Sequence, residues 1–295
     1  MSIDPLVTID WLKDRLGDPN VRPVDVRWYL AERGRGREEY AAGHIPGAAF
    51  MDVDDDLSSP RGQGPGRHPL PTPEAFAALA GRAGIGADTH VVAYDSSAGA
   101  HAARLWWLLR YFGHQRVSLL DGGWPAWAAA GLPVEPGAPA IAPATFLAVP
   151  RAELVVDAAA VDALRRDPRA LILDARATER YEGQVEPIDP QPGHIPGARS
   201  APYAGNARAD GFFKRPDELR DRYLDLGADA AQTIVCYCGS GVTAAHTIFA
   251  LHLAGRDDAL LYEGSWSDWS SDPTHPVATG PESGQAGGIG IDSTR

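Results

Sequence analysis

Short runs of β-branched or apolar residues alternate along this chain with stretches whose apolar residues recur every three or four positions. Leu171-Ile172-Leu173, Thr233-Ile234-Val235-Cys236-Tyr237 and Ala259-Leu260-Leu261-Tyr262 are too short for helices, and Val91-Val92-Ala93-Tyr94 is a similar run earlier in the chain. A strand without polar alternation is one buried on both faces. Between these runs stand helix starts. Thr72 offers an N-cap, Pro73 a preset φ at the first helical position and Glu74 an acidic first turn; Arg215-Pro216-Asp217-Glu218 is the counterpart. Ala244, Ala245, Ile248, Phe249 and Leu251 form another helical pattern that stops at Gly255. Buried strands separated by helices predict an α/β class, a parallel sheet flanked by helices on both faces.

The pattern occurs twice. Gly43-His44-Ile45-Pro46-Gly47-Ala48 recurs as Gly193-His194-Ile195-Pro196-Gly197-Ala198, Asp25-Val26-Arg27 answers to Asp174-Ala175-Arg176, and Asp121-Gly122-Gly123-Trp124 answers to Glu263-Gly264-Ser265-Trp266. Three matches in the same order, at offsets between 142 and 150, identify a duplicated globular domain, since each copy is far too long for a solenoid repeat. The expected organisation is a first domain over 1–135, a linker over 136–150 that Pro and Gly keep out of helix and central strand, and a second domain over 151–280. A Gly- and Ser-rich tail over 281–295 without apolar periodicity is expected to be disordered.

Composition narrows the function. No apolar run approaches the length of a membrane span, and a net charge of −12 opposes binding to nucleic acid or to an anionic membrane. The first residues lack the layout of a signal peptide, and the chain has only two cysteines, Cys236 and Cys238, so a cytoplasmic location is expected. Two cysteines without histidines at finger spacing argue against a metal site.

In an open parallel sheet, ligands gather beyond the carboxyl ends of the strands. Cys238 stands there, between the strand ending at Tyr237 and the helix that follows, with Gly239, Ser240 and Gly241 able to turn backbone N–H groups inward around one point. Such a cradle favours an anion and would raise the reactive thiolate fraction. An isolated cysteine is more often a small buried hydrophobe, which is the reading for Cys236 inside the strand; position and glycines reverse it for Cys238. A cysteine phosphatase would need an Arg six residues after the nucleophile, where this chain has Ala244. In the first copy the equivalent position is Asp95, so one active site is expected rather than two.

These motifs resemble the tandem-domain rhodaneses, comprising thiosulfate sulfurtransferases and 3-mercaptopyruvate sulfurtransferases, over nearly the whole chain. The resemblance implies two rhodanese-like domains with a catalytic C-terminal one. The loop Cys238-Gly239-Ser240-Gly241-Val242-Thr243 is similar to the mercaptopyruvate subgroup, whereas the thiosulfate subgroup places basic residues directly after Cys. It implies that Gly239, Gly241, Val242 and Thr243 meet the donor, and that Ser240, His68 and Asp54 form a proton relay reaching across the domains. It further implies that Arg180 holds the substrate carboxylate, while the family's second substrate arginine falls in a stretch, Glu186 to Gln191, that contains none. Against these roles stand plainer ones. His68 could be an ordinary loop histidine, Asp54 one of a solvated run with Asp52, Asp55 and Asp56, and Arg180 a surface partner of Glu179 or Glu182. Arg176 and Asp174 are expected to be structural, with bonds to loop carbonyls.

The expected reaction is ping-pong sulfur transfer through a Cys238 persulfide, from 3-mercaptopyruvate or alternatively thiosulfate to cyanide, thioredoxin or another thiol, with no cofactor. A non-catalytic persulfide carrier or binding module is the reading from another class.

Overall fold

The computed structural model describes residues 3–281 and residue 283; apart from these last residues, the expected tail lies outside the described ones. The first copy builds a five-stranded sheet from β1 (Leu6–Val7), β2 (Val21–Asp25), β3 (Ala49–Phe50), β4 (His90–Tyr94) and β5 (Val117–Leu120), in the order β1-β5-β4-β2-β3. The second copy repeats the order strand for strand as β6-β10-β9-β7-β8, from β6 (Val155–Val156), β7 (Ala170–Asp174), β8 (Arg199–Ser200), β9 (Thr233–Tyr237) and β10 (Leu260–Tyr262). Every pairing within the two sheets is parallel. Even the register is repeated, Asp25 standing opposite Tyr94 and Asp174 opposite Tyr237. All five residues of β4 are buried, as the unbroken apolar run Val91-Val92-Ala93-Tyr94 requires.

The helix starts take the form their sequences predict. Thr72 Oγ1 accepts from Ala75 N at 3.2 Å ahead of the helix Pro73–Arg82, and Glu218 reaches back to Arg215 N at 2.9 Å ahead of Pro216–Asp225. The recurring motifs serve as joints between strand and loop. In each copy the strand-end Asp holds the Arg two residues on, and that Arg donates to the carbonyl of the Gly that opens the Gly-His-Ile-Pro motif, at 2.7 Å from Arg27 to Gly43 and 2.7 Å from Arg176 to Gly193. The same guanidinium lies over the Trp of the downstream motif, Arg27 over Trp124 at 4.4 Å and Arg176 over Trp266 at 4.5 Å. Motifs far apart in sequence recur together because they meet.

Each sheet buries one face under its own helices. The other faces share a single core: a continuous apolar cluster runs from Val24, Val91 and Leu119 of the first copy to Leu173, Ile234 and Leu261 of the second. At its centre the helices Ala102–Tyr111 and Val242–Leu253 pack together, Trp106 edge-on to Phe249 at 4.9 Å. Residues 136–150 contain neither helix nor strand and lie along the first copy, Phe146 buried against Phe76 and Ala144 N bonded to Gly81 O at 2.9 Å. The sheets therefore hold their carboxyl-end loops in a fixed relation to one another.

Candidate active site

Cys238 follows β9 and precedes the helix Val242–Leu253, with only 2% of its surface exposed. Its sulfur receives two backbone amides, Gly241 N at 3.1 Å and Ser240 N at 3.5 Å. Gly241 makes this turn with φ +80°, and a Cβ there would stand 2.8 Å from Glu263 O, so both backbone angle and space require glycine. Behind the loop, Trp266 N and Ser267 N donate to the carbonyls of Cys238 and Gly239, each at 2.9 Å. Ser265 completes the support. It adopts φ +54°, its Oγ accepts from Cys238 N at 3.1 Å and donates to Tyr262 O at 2.9 Å. Sequence reasoning passed over Ser265, although its counterpart Gly123, also at positive φ, was the available signal.

Opposite this loop the first domain presents His68, buried, with Nδ1 2.7 Å from Ser240 Oγ and Nε2 2.9 Å from Asp54 Oδ1. An ionised Asp54 accepts only, so Nε2 carries the proton and Nδ1 accepts the hydroxyl of Ser240. Burial pushes the His68 imidazole below its ordinary range, against the pull of Asp54; the bond to His68 in turn holds the Asp54 carboxyl below its own. Asp54 is further fixed by Trp28 Nε1 at 2.8 Å. The neighbouring acids have other work. Asp52 Oδ1 accepts from Asp54 N and Asp55 N to close the turn, and Asp55 pairs with Arg33 at the surface.

A cleft of about 500 Å³ opens between the domains over Cys238, Gly239, Ser240, Val242 and Thr243, and Arg180 lines it. The expected alternative partners of Arg180, Glu179 and Glu182, are replaced by Glu186 at 2.6 Å and Asp189 at 3.0 Å. The stretch that lacks an arginine thus supplies the acids that orient one. Three further residues had no signal in sequence. Arg67 lines the same cleft; Asp189 binds Arg67 as well; and Arg104, fully buried, donates to Gly241 O at 3.3 Å and His68 O at 3.0 Å, joining the Cys238 loop to the His68 loop. Burial pushes the Arg104 guanidinium down to about 10, still charged at neutral pH. Cys236 is fully enclosed in the strand, and burial drives its thiol upward, which keeps it protonated.

The first copy has the same cradle, filled by the chain itself. The Asp95 carboxylate accepts from Ser97 N at 2.7 Å and Gly99 N at 2.9 Å through Oδ1, and from His101 N at 2.7 Å and Ala102 N at 2.9 Å through Oδ2. A carboxylate seated on converging amides shows what the geometry is suited to hold: an anion.

Similarity to known proteins covers most of the chain. The family model for the rhodanese-like domain matches twice, over residues 8–130 and 157–272. A Pseudomonas aeruginosa protein named "Probable 3-mercaptopyruvate sulfurtransferase" is 46% identical over 95% of this chain and 100% of its own length. The human 3-mercaptopyruvate sulfurtransferase is 40% identical over 90% and 91%, and the mouse thiosulfate sulfurtransferase 38% identical over 90% and 91%. The crystal structure of SseA from Escherichia coli, described with the 3-mercaptopyruvate sulfotransferases, matches with a TM-score of 0.80 at 36% identity, covering 90% of this chain and all of that one.

Proposed function

Because the chain belongs to the rhodanese family in both of its halves, we propose that it is a sulfurtransferase that takes sulfur from 3-mercaptopyruvate and passes it to a thiophilic acceptor through a persulfide on Cys238. The observation that carries this reading is that Ser240, whose N–H reaches the Cys238 sulfur at 3.5 Å, is joined by its hydroxyl to His68 and through His68 to Asp54.

The step balances with the groups present. The Cys238 thiol gives its proton to the relay, and the thiolate attacks the donor's thiol sulfur. As the S–S bond forms, the donor's C–S bond breaks and its electron pair passes into the pyruvate enolate, which takes the proton back and leaves as pyruvate. The amides of Ser240 and Gly241 support negative charge on sulfur before and after transfer. An acceptor thiolate, such as that of thioredoxin, or cyanide then attacks the outer sulfur and returns Cys238 as thiolate. Asp95 makes the first domain the non-catalytic one. With both cysteines free and no helix among the described residues long and apolar enough to cross a membrane, we assign the activity to the reducing cytoplasm.

Thiosulfate is the second reading, favoured by the guanidinium groups of Arg67 and Arg180 beside the thiol. Comparing kcat/KM for the two donors decides between them, a preference for thiosulfate overturning the first. Mass spectrometry after donor exposure tests the reaction class: wild type gains one sulfur and Cys238→Ser gains none, whereas an unchanged gain in the variant would remove Cys238 from the chemistry.

A further inference from the structure

Two guanidinium groups reach the cleft from different domains, and one carboxylate ties them together. Asp189 Oδ2 accepts from Arg180 Nη2 at 3.0 Å, and its Oδ1 accepts from Arg67 Nη1. Glu186 takes Arg180 Nε and Nη2 at 3.2 and 2.6 Å. Both acids are enclosed, their side chains only 2% and 3% exposed. They take Nη1 of Arg67 and Nε and Nη2 of Arg180. Arg67 Nη2 and Arg180 Nη1 face the nucleophile loop, 3.1 and 3.5 Å from where a Cβ on Gly239 would be.

Arg67 Nε is buried and has no hydrogen-bond partner among the described residues. A buried donor without a partner is unfavourable until an acceptor arrives. Nε and Nη2 form one edge of the guanidinium, and two parallel N–H groups on such an edge match the two oxygens of a carboxylate. Net charge is not what distinguishes the cluster. Arg67, Arg176 and Arg180 are matched by Asp174, Glu186 and Asp189. Recognition here is directional, which suits a planar monocarboxylate better than a compact dianion.

We propose that Arg67 is the second arm of a carboxylate clamp that holds the 2-oxo acid between the domains, opposite Arg180, and that Asp189 is the positioning residue that sets the two arms. The clamp rests on the reading of the donor as a 2-oxo acid. It forms only where the first-domain loop before His68 meets the second-domain segment Glu186 to Gln191, so donor binding depends on the docked domains.

Carboxylate binding can be read without turnover, from the rate at which iodoacetamide alkylates Cys238 in the full-length protein as pyruvate is added, each variant being referred to its own unprotected rate. Pyruvate is expected to protect wild type, and hydroxyacetone, which lacks the carboxylate, is not. Arg67→Ala should raise the pyruvate concentration for half-protection by roughly 10- to 100-fold. Arg67→Lys, which keeps the charge and loses the fork, should fall between. Asp189→Asn should shift protection in the same direction, and the double variant by less than the product of the single shifts, because Asp189 acts through the arginines. Equal protection in wild type and Arg67→Ala, or no protection of wild type, overturns the clamp. Arg67-dependent protection in a protein that does not turn over mercaptopyruvate would support the clamp and overturn the donor assignment alone.

Discussion

His68 of the first domain and Ser240 of the second meet at 2.7 Å across 172 residues of sequence. The contact joins the imidazole to the loop that holds Cys238, and it exists only because the two copies share one core. The first copy, with Asp95 at the equivalent position, contributes Arg67 and His68 to the cleft over Cys238, with Asp54 bonded to His68 Nε2 and Arg104 to the His68 carbonyl behind them.

If Ser240 and His68 carry the proton to the departing enolate, His68→Gln should slow persulfide formation from mercaptopyruvate by roughly 10²- to 10⁴-fold. Thiosulfate releases sulfite, which needs no proton, so its rate should fall much less. Single-turnover measurements with both donors check this; equal losses would show that His68 does not deliver a proton to the enolate.

Acid should destabilise the protein in part through the same residue. Burial holds His68 below its ordinary 6.5, so the native state refuses a proton that the unfolded chain accepts as the pH falls past that value. The unfolded state then binds more protons, and stability rises with pH; the contribution is present above about 6.5 and is lost as pH falls toward the lowered native value. His90 and His246, both pushed down to about 4 by burial, act in the same direction. Urea midpoints should therefore drop between about pH 7.5 and 5, and drop less in His68→Gln. An identical drop in the variant would contradict this assignment.

Asp95 satisfies four backbone amides at once. Asp95→Ala leaves them without that acceptor and should lower stability by about 2–4 kcal/mol, seen as a lower urea midpoint at unchanged slope. A midpoint equal to that of wild type would mean that water replaces the carboxylate without loss.

Ser265 combines a left-handed backbone with a bond to Cys238 N. Ser265→Ala keeps the strain and loses the bond, and should cost about 1–2 kcal/mol. Ser265→Gly loses the bond but relieves the strain, and should cost less. Urea unfolding of the pair gives the order, and an alanine variant as stable as the glycine one would count against strain at this position.

Much of this was legible in the chain itself. Continuous apolar runs determined buried parallel strands, ordered motif matches determined two copies of one domain, and a Cys between a strand and a glycine-rich helix start determined where a nucleophile could stand. The His68, Asp54 and Ser240 arrangement came from resemblance, because a loop histidine and one acid among several carry no periodicity to mark them. Sequence could not separate Asp54 from Asp52, Asp55 and Asp56; packing did, by setting Trp28 and His68 around one of the four.

Local pattern is written in neighbouring residues, and strand, turn and cap are local, so the sequence by itself determined the elements, their duplication and the place of Cys238 between a strand and a helix. The cleft is made of contacts between loops that enter it from opposite domains, and no spacing along the chain encodes which side chains will face one another there. Only the tertiary structure decided that Arg67 comes beside Arg180, that Asp189 joins them, and that Arg104 ties the Cys238 loop to His68. The physical reason is the shared apolar core, which fixes the two sheets against each other and brings buried charges within hydrogen-bonding distance.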